Sequence, residues 1–363
     1  MPTSPEPIEA VSQRLDKFVS EQISYASGLG TEAEKMALAG ASSLRGGKRL
    51  RARFLLTARR AVDEVSPAEP VASDAAAIGV AAALEVFQAA ALVHDDLIDN
   101  SDTRRGQPAA HRALQAVHEA ADWAGDAEAF GRSGAVLLGD LLVAWSDDLL
   151  EESLDGVPTA GPTRRHYAQM RRDVTIGQFL DVAEESAYVA HADDSHADRA
   201  LRVASYKSAR YSIQKPLQIG AALAGADDAQ IEALGRFGHD IGMAFQLRDD
   251  VLGVFGDSAV TGKPSGDDLR EGKRTVLVAY ARHALPADRR ADLDGMLGDR
   301  GLDAVRIQAL QQTIVETGAL ARTEELIAQY ERQAENALDG ARLGDGAVAE
   351  LRALARAATQ RTS

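Results

Sequence analysis

Apolar residues recur three and four positions apart along almost the whole chain. Val11, Leu15, Phe18 and Ile23 do so near the start, Val136, Leu137, Leu141 and Leu142 in the middle, Leu326 and Tyr330 toward the end. This spacing gathers them on one side of a 3.6-residue turn and predicts amphipathic helices. Sustained period-two alternation rich in Val, Ile and Thr, the mark of strands, is missing. Thr31 followed by Glu34 has the form of a capping box opening a helix. Polar or Gly-rich breaks fall at "RRGQPA", "ESLDGVPTAGPT", "AHADDSHAD", "GDSAVTGKPSGDD" and "LGDRG". None is long enough for a flexible linker, composition does not shift across any of them, and no fixed-period repeat is present. The pattern predicts an all-α protein: a large helical bundle forming a single domain over residues 7–363, with a loose tail at residues 1–6.

One stretch, Ala75 to Val93, is apolar enough to suggest a membrane span. It is mostly alanine, contains Glu85 and Gln88, and runs straight into His94 and Asp95. A buried core helix is the expected reading, with no stable membrane insertion. The remaining totals narrow the function. The 363 residues carry 55 acidic against 40 basic side chains, a net charge of −15, which disfavours nucleic acid and anionic membrane surfaces as partners. Phosphate bound by so acidic a chain needs metal or a local basic cluster. No cysteine is present, which excludes disulfides, thiolate metal sites and cysteine nucleophiles. The start "MPTSPEPIEA" has neither the basic nor the apolar part of a secretory signal, so a cytoplasmic location is expected.

The candidate chemistry begins at "VHDDLIDNSDTRRG", residues 93–106. On a helix, Asp95, Asp96 and Asp99 lie at about 0°, 100° and 40° round the axis, so three carboxylates share one sector. Such a triplet arises by chance in acidic chains and is a weak signal alone. Here it ends an uninterrupted apolar run and is followed at once by Arg104 and Arg105. Hard oxygen donors on one face suit Mg²⁺, which keeps waters and bridges to substrate phosphates. A second acidic pair, Asp249 and Asp250, ends another apolar stretch, with Lys263, Asp267, Asp268 and Lys273 in the Gly-rich segment beyond. Facing one another across a bundle cavity, two such patches would bind several Mg²⁺ ions and, through them, a diphosphate. A third element, "LRGGKRLRARF", packs Lys48, Arg49 and Arg51 beside Gly46 and Gly47. In an acidic chain that cluster suits a second phosphate, bound without metal.

Together these motifs resemble the trans-isoprenyl diphosphate synthases, the polyprenyl synthetase family, over residues 40–280 and in family order. The resemblance is nearest to geranylgeranyl diphosphate synthases. "GGKRLRARF" is similar to the family's GGKRxRP and implies that Lys48 and Arg51 bind isopentenyl diphosphate, with Gln88 contacting the same group. "DDLIDNSDTRRG" resembles the first aspartate-rich motif. It implies Mg²⁺ at Asp95, Asp96 and Asp99, the allylic diphosphate at Arg104 and isopentenyl diphosphate at Arg105. "GDLL" (Gly139, Asp140) and "GQFLD" (Gln178, Asp181) match cavity-lining helices. "YKSARYSIQKP" places Lys207 and Ser208 by the allylic substrate, with Ser in place of Thr. "FQLRDD" supplies Phe245, Gln246, Asp249 and Asp250, with Lys263 and Lys273 as the lysines after the second motif. Two positions depart from the family pattern: Ala52 replaces a proline, and Gly253 replaces the third aspartate of the second motif.

The resemblance implies an isoprenoid synthase bundle round a deep central cavity, a homodimer, and three Mg²⁺ per active site. Asp95, Asp96, Asp99, Arg104, Lys207, Asp249, Asp250 and Lys263 would stabilise the departing diphosphate, and the released diphosphate would take the final proton. No nucleophilic side chain is required, and His94 and His111 are read as structural. Product length is expected to follow the helix before the first motif. Ala90 and Ala91 leave the first turn below Asp95 open, and Phe87, above Leu84, is the first bulky side chain about 12 Å down. That favours a twenty-carbon geranylgeranyl product, with longer polyprenyl or farnesyl diphosphate as alternatives. A class I terpene cyclase would need an Asn-Ser/Thr-Glu metal motif, which is not found. A non-catalytic subunit would lack the first-motif aspartates, which are complete.

Overall fold

The computed structural model of the chain describes residues 6–66, 69–256 and 265–359. The expected tail lies almost wholly outside them; Glu6 is described and precedes the first helix. Apart from one two-residue hairpin, the described elements are helices, as the apolar spacing requires. The chain divides into two compact units, residues 1–56 with 69–160, and residues 57–68 with 161–363.

The first unit holds α1 (Pro7–Ser27), α2 (Thr31–Ser43), the first half of α3 (Leu50–Asp63), α4 (Asp74–Ile98), strands β1 (Thr103–Arg104) and β2 (Gln107–Pro108), α5 (Ala110–Ala120) and α6 (Ala127–Ser153). Helix α2 begins one residue earlier than the Thr31–Glu34 pattern suggests. Gly30 is its N-cap, and the Thr31 hydroxyl donates to Glu32 instead of capping. Helix α4 is the apolar stretch. It is long and apolar enough to cross a membrane, but most of it is buried within the protein, as a core helix should be. It starts where Ser73 accepts the Ala76 N–H at 3.2 Å. Helices α4 and α6 pack along one another. A side chain at Gly79 would collide with Ser153, and one at Gly139 would enter the His94 ring. Ser146 donates to the Ala83 carbonyl between them at 3.2 Å. The helical spacing expected at Val136–Leu142 holds, yet its faces differ: Leu142 is fully buried while Leu137 is 59% exposed.

The second unit comprises α7 (Ala160–Ala187), two 3₁₀ turns (Tyr188–Ala190, Asp193–Ser195), α8 (His196–Val203), a π-helical stretch (Ala204–Gln214), α9 (Lys215–Leu223), α10 (Asp228–Phe255), the one-turn α11 (Asp267–Glu271), α12 (Val276–Ala284), α13 (Ala287–Met296), α14 (Ala304–Glu316), α15 (Ala319–Ala337) and α16 (Asp345–Thr359). Helix α10 is its centre. It opens with a complete capping box between Asp227 and Gln230 and packs against the π-helical stretch, α9, α11, α15 and α16. Leu247, Val251 and Val254 of α10 join Leu269, Val276, Leu277 and Ile314 in one apolar core. Small residues let the backbones approach closely: a Cβ at Gly242 would sit 2.6 Å from Ala209 Cα, and one at Gly238 2.7 Å from Gln214 Cα. The 3₁₀ segment is held by charge, with Arg274 stacked 3.6 Å from the Tyr188 ring and Asp193 paired to Arg282 and Arg290.

Candidate active site

Two polar clusters carry the candidate residues, one in each unit. In the first unit, α4 is buried through its middle, and toward its C-terminus partly exposed side chains alternate with the buried Val93 and Asp96. Leu84 is fully buried and Phe87 5% exposed, Gln88 and Ala91 are half-buried, and the Asp95 side chain is 23% exposed. Ala90, by contrast, is 1% exposed. The chain leaves the helix at Asp99, whose N–H donates back to the Asp95 carbonyl at 2.8 Å. It then makes a tight antiparallel hairpin in which Thr103 pairs with Pro108 and Arg104 with Gln107. The turn residues Arg105 (φ 54°) and Gly106 (φ 73°) are both left-handed, as a two-residue hairpin turn of this kind demands.

That hairpin returns Arg104 to the aspartates. Its Nε donates to Asp96 Oδ1 at 2.8 Å, its Nη2 donates to the same oxygen, and Nη2 reaches Asp95 Oδ2 at 3.5 Å. Burial raises the Asp96 pKa above the usual carboxylate range, aided by Asp95 and opposed by Arg104. Burial works against the charge on Arg104 as well, but Asp96, Asp95 and Asp99 outweigh it and the guanidinium is held more firmly protonated. Arg105 turns the other way. Its Nη1 donates to the Arg45 carbonyl at 3.1 Å, and its guanidinium lies against Gly47, where a Cβ would approach it to 3.0 Å. Burial and the neighbouring Arg49, Arg104 and Arg51 lower its pKa, with Glu85 opposing. The hairpin therefore sorts two arginines, one to the carboxylates and one to a cationic cluster with Arg49 and Arg51. Lys48 stands exposed on the same loop.

The motif reading missed what positions that loop. Glu85 is 7% exposed, and its Oε1 accepts the Ala52 N–H at 3.2 Å while Oε2 lies 3.5 Å from Arg49 Nη1. Arg49 also donates to the Leu44 carbonyl at 2.8 Å, from a left-handed backbone (φ 50°). A glutamate on the apolar face of α4 was the available signal. The two histidines have structural surroundings. His94 Nε2 contacts the Val136 carbonyl at 3.2 Å, and His111 is 3% exposed beside Asp102, its pKa lowered chiefly by burial.

In the second unit, Asp181 on α7 receives Lys207 Nζ at 2.5 Å and Lys273 Nζ at 3.5 Å, and Lys273 also reaches Glu185 at 3.7 Å. Lys207 and Ser208 lie on the π-helical stretch, whose wider turn presses the backbone onto α7: a Cβ at Gly177 would lie 2.7 Å from Lys207 Cα. Asp250 is 6% exposed and accepts Gln246 Nε2 at 2.7 Å. Burial and the Asp268, Asp249 and Asp181 charges hold it well above the ordinary carboxylate range, against the Gln246 bond. Gln178, Phe245 and Asp249 each take part in further contacts. Lys263 lies outside the described residues.

Asp95, Asp96 and Asp99, and likewise Asp249 and Asp250, are hard donors at helix positions one turn apart or adjacent. Among the described residues no three acidic or histidine side chains form a ready-made metal cage. That donor set suits Mg²⁺, which takes one or two carboxylates and completes its shell with water and phosphate oxygens.

Solved structures and curated sequences bear on this arrangement. The structure is similar, with a TM-score of 0.90 and 38% identity over 98% of both chains, to a geranylgeranyl pyrophosphate synthase from Corynebacterium glutamicum complexed with isoprenyl diphosphate and magnesium. The sequence is 32% identical to a geranylfarnesyl diphosphate synthase of Natronomonas pharaonis, over 81% of this chain and 80% of that one. It is 33% identical to a nonaprenyl diphosphate synthase of Mycobacterium tuberculosis, over 81% and 77%. The family model described as Polyprenyl synthetase matches residues 34–314. With its all-α fold and both aspartate-rich clusters in place, the chain belongs to the polyprenyl synthetase family and is a prenyltransferase.

Proposed function

We propose that this protein condenses isopentenyl diphosphate head to tail with allylic diphosphates in an Mg²⁺-dependent reaction, and that its product is geranylgeranyl diphosphate. One observation carries the chemistry: the hairpin at residues 103–108 divides Arg104 from Arg105, one paired to Asp95 and Asp96, the other among Arg49 and Arg51. A reaction of two diphosphates needs that division. One diphosphate must leave, and the other must only be held.

Asp95, Asp96 and Asp99, with Asp249 and Asp250, would hold Mg²⁺, three ions per active site. When bound, the ions neutralise the negative charge that grows on the departing allylic diphosphate. Arg104 and Lys207, with Lys263 and Lys273, add cationic hydrogen-bond donors to the same group. Lys48, Arg51, Arg105 and Gln88 orient isopentenyl diphosphate so that its double bond meets the allylic carbon. Buried apolar walls, including Phe87 and Leu84, keep water from the carbocation. The proton then lost passes to the released diphosphate.

The protein is proposed to act as a cytoplasmic homodimer. Supporting the dimer are apolar side chains left exposed on α6 (Val136, Leu137) and on α7 (Ile176, Phe179, Val182), a composition suited to burial between subunits. The twenty-carbon assignment rests on α4. Ala91 is half-buried one turn before Asp95, while Phe87 and Leu84, two and three turns before it, are buried. Relatives whose names span geranylfarnesyl to nonaprenyl products make this length the reading to test. Incubation with labelled isopentenyl diphosphate and each allylic primer, then chromatography of the dephosphorylated products, tests it. Parent enzyme should give twenty carbons, Ala91→Phe fifteen, and Phe87→Ala at least one unit more than the parent. A hydrocarbon product would point to a cyclase, and no product from the purified chain to a non-catalytic subunit. If neither variant moves the distribution, the length assignment falls.

A further inference from the structure

We propose that Arg210 is a positioning residue for Lys207, fastening residues 205–210 in the π-helical register that turns Lys207 toward Asp181. The proposal rests on the prenyl diphosphate synthase reading, in which Lys207 meets the allylic diphosphate.

Chains rarely adopt the π register, yet here it persists from Ala204 to Gln214, between the α-helical turns of α8 and α9. Such a stretch needs something to hold it. Arg210 does so from within. Its Nε donates to Ser205 Oγ at 3.3 Å, five residues back, and its guanidinium stacks 3.9 Å from the Tyr206 ring, four residues back. At about 100° per residue, an α-helix would set Ser205 and Arg210 about 140° apart round the axis, on different faces. A wider turn brings the positions four and five residues back onto one side. Both contacts are therefore matched to the π register and would be strained in the α register.

Both ends of this staple are anchored in neighbouring helices. Nη1 of Arg210 pairs with Asp173 of α7 at 3.3 Å. Ser205 Oγ, already accepting from Arg210, lies 3.0 Å from His239 Nε2 on α10. Asp240 Oδ1, an acceptor, lies 3.4 Å from His239 Nδ1, so Nδ1 carries the proton and Nε2 accepts the Ser205 hydroxyl. The donors thus run one way, from Arg210 through Ser205 and His239 to Asp240. The same helix that holds Arg210 also receives Lys207. Asp173, Gly177 and Asp181 recur every fourth residue along one stripe of α7. Asp173 takes Arg210, Asp181 takes Lys207 Nζ at 2.5 Å, and Gly177 between them admits the backbone, since a Cβ there would lie 2.7 Å from Lys207 Cα. Lys207 sits between Ser205 and Arg210, so its direction follows the register they keep. Relaxation to an α turn would rotate it off the Asp181 stripe.

The test is a pair of double-mutant cycles on the full chain. Steady-state rates are measured for Arg210→Ala, Ser205→Ala and Lys207→Ala, and for each of the first two combined with Lys207→Ala, varying either substrate at saturating Mg²⁺. Arg210→Ala should lower kcat/KM for the allylic primer by ~10–100-fold, the scale on which a misplacement of about 1 Å acts, with KM for isopentenyl diphosphate near the parent's. Ser205→Ala deletes one oxygen and leaves the Asp173 pair, so it should shift the same constant in the same direction by less. With Lys207→Ala already present, either change should cost little more, because nothing remains to be positioned. A purely structural role predicts costs that multiply whether or not Lys207 is present, or that fall on both substrates alike. Either result, or parent-like rates in Arg210→Ala, overturns the proposal and leaves the enzyme reading intact. If Arg210→Ala does not fold, the Ser205→Ala cycle decides by the same criteria. If Lys207→Ala leaves the allylic constant unchanged, the role given to Lys207 falls with the proposal. If the parent lengthens no primer, the enzyme reading falls too.

Discussion

Asp96→Asn separates catalysis from folding in a way the structure makes quantitative. Asp96 is 3% exposed and takes both Nε and Nη2 of Arg104, whose side chain is 28% exposed. Asparagine keeps the shape and keeps an oxygen facing the guanidinium. What is lost is the charge-assisted part of those bonds, ~1 kcal/mol. Opposing that loss, burial raises the Asp96 pKa. A carboxyl whose folded pKa lies above its unfolded value contributes most to stability when protonated and less as pH rises through the carboxylate range. At pH 7 the ionised group is therefore a cost, which asparagine relieves. The two effects offset, and thermal or urea unfolding should move by no more than ~1 kcal/mol. Turnover should respond very differently, because a neutral amide cannot replace a charged ligand to Mg²⁺ or stabilise a departing diphosphate. Initial rates at saturating Mg²⁺ and both substrates should fall at least ~100-fold. Near-normal turnover would refute the metal assignment. A loss of stability above ~3 kcal/mol would mean that Asp96 serves mainly as the buried partner of Arg104.

Other variants probe the division between the two diphosphates and the frame that supports it. Arg51→Ala should raise the Michaelis constant for isopentenyl diphosphate far more than that for the allylic primer, and Arg104→Ala should show the reverse; equal effects would mean the sites are misassigned. Glu85→Gln should lower stability by ~1–2 kcal/mol and raise the constant for isopentenyl diphosphate, because the Arg49 loop loses its buried anchor; an unchanged constant would confine Glu85 to the fold. His166 is held neutral, its pKa lowered to about 4 first by burial and then by Lys215 and Arg165. Its stabilising contribution is thus complete above pH ~6.5 and is lost as pH falls toward 4. Discounted for partial exposure, the loss is ~2 kcal/mol, and His166→Phe should flatten that part of a stability–pH profile measured by urea unfolding.

Much of this protein was legible in its sequence for a simple reason: helix periodicity and the order of charged motifs are local properties. The all-α fold, the buried course of residues 75–93 and the clustering of Asp95, Asp96 and Arg104 each follow from residues close together along the chain. Even the hairpin is foreshadowed by the "RRG" break, although the opposite destinations of its two arginines are not. What needed the tertiary structure were contacts between residues distant in sequence. Glu85 is an odd polar residue on an apolar helix until Ala52 and Arg49 come to it. Lys207 and Lys273 converge on Asp181 only because the π-helical stretch and the turn after α11 meet α7. Thr31 failed as a cap because the chain entered α2 from Gly30, and nothing in the local pattern weighs one start against the next. Gly253 shows the limit most plainly. Read along the helix it is a missing aspartate, and only packing reveals Asp268 lying against it, because a one-dimensional motif records which side chains a helix carries and not which ones another segment brings to its surface.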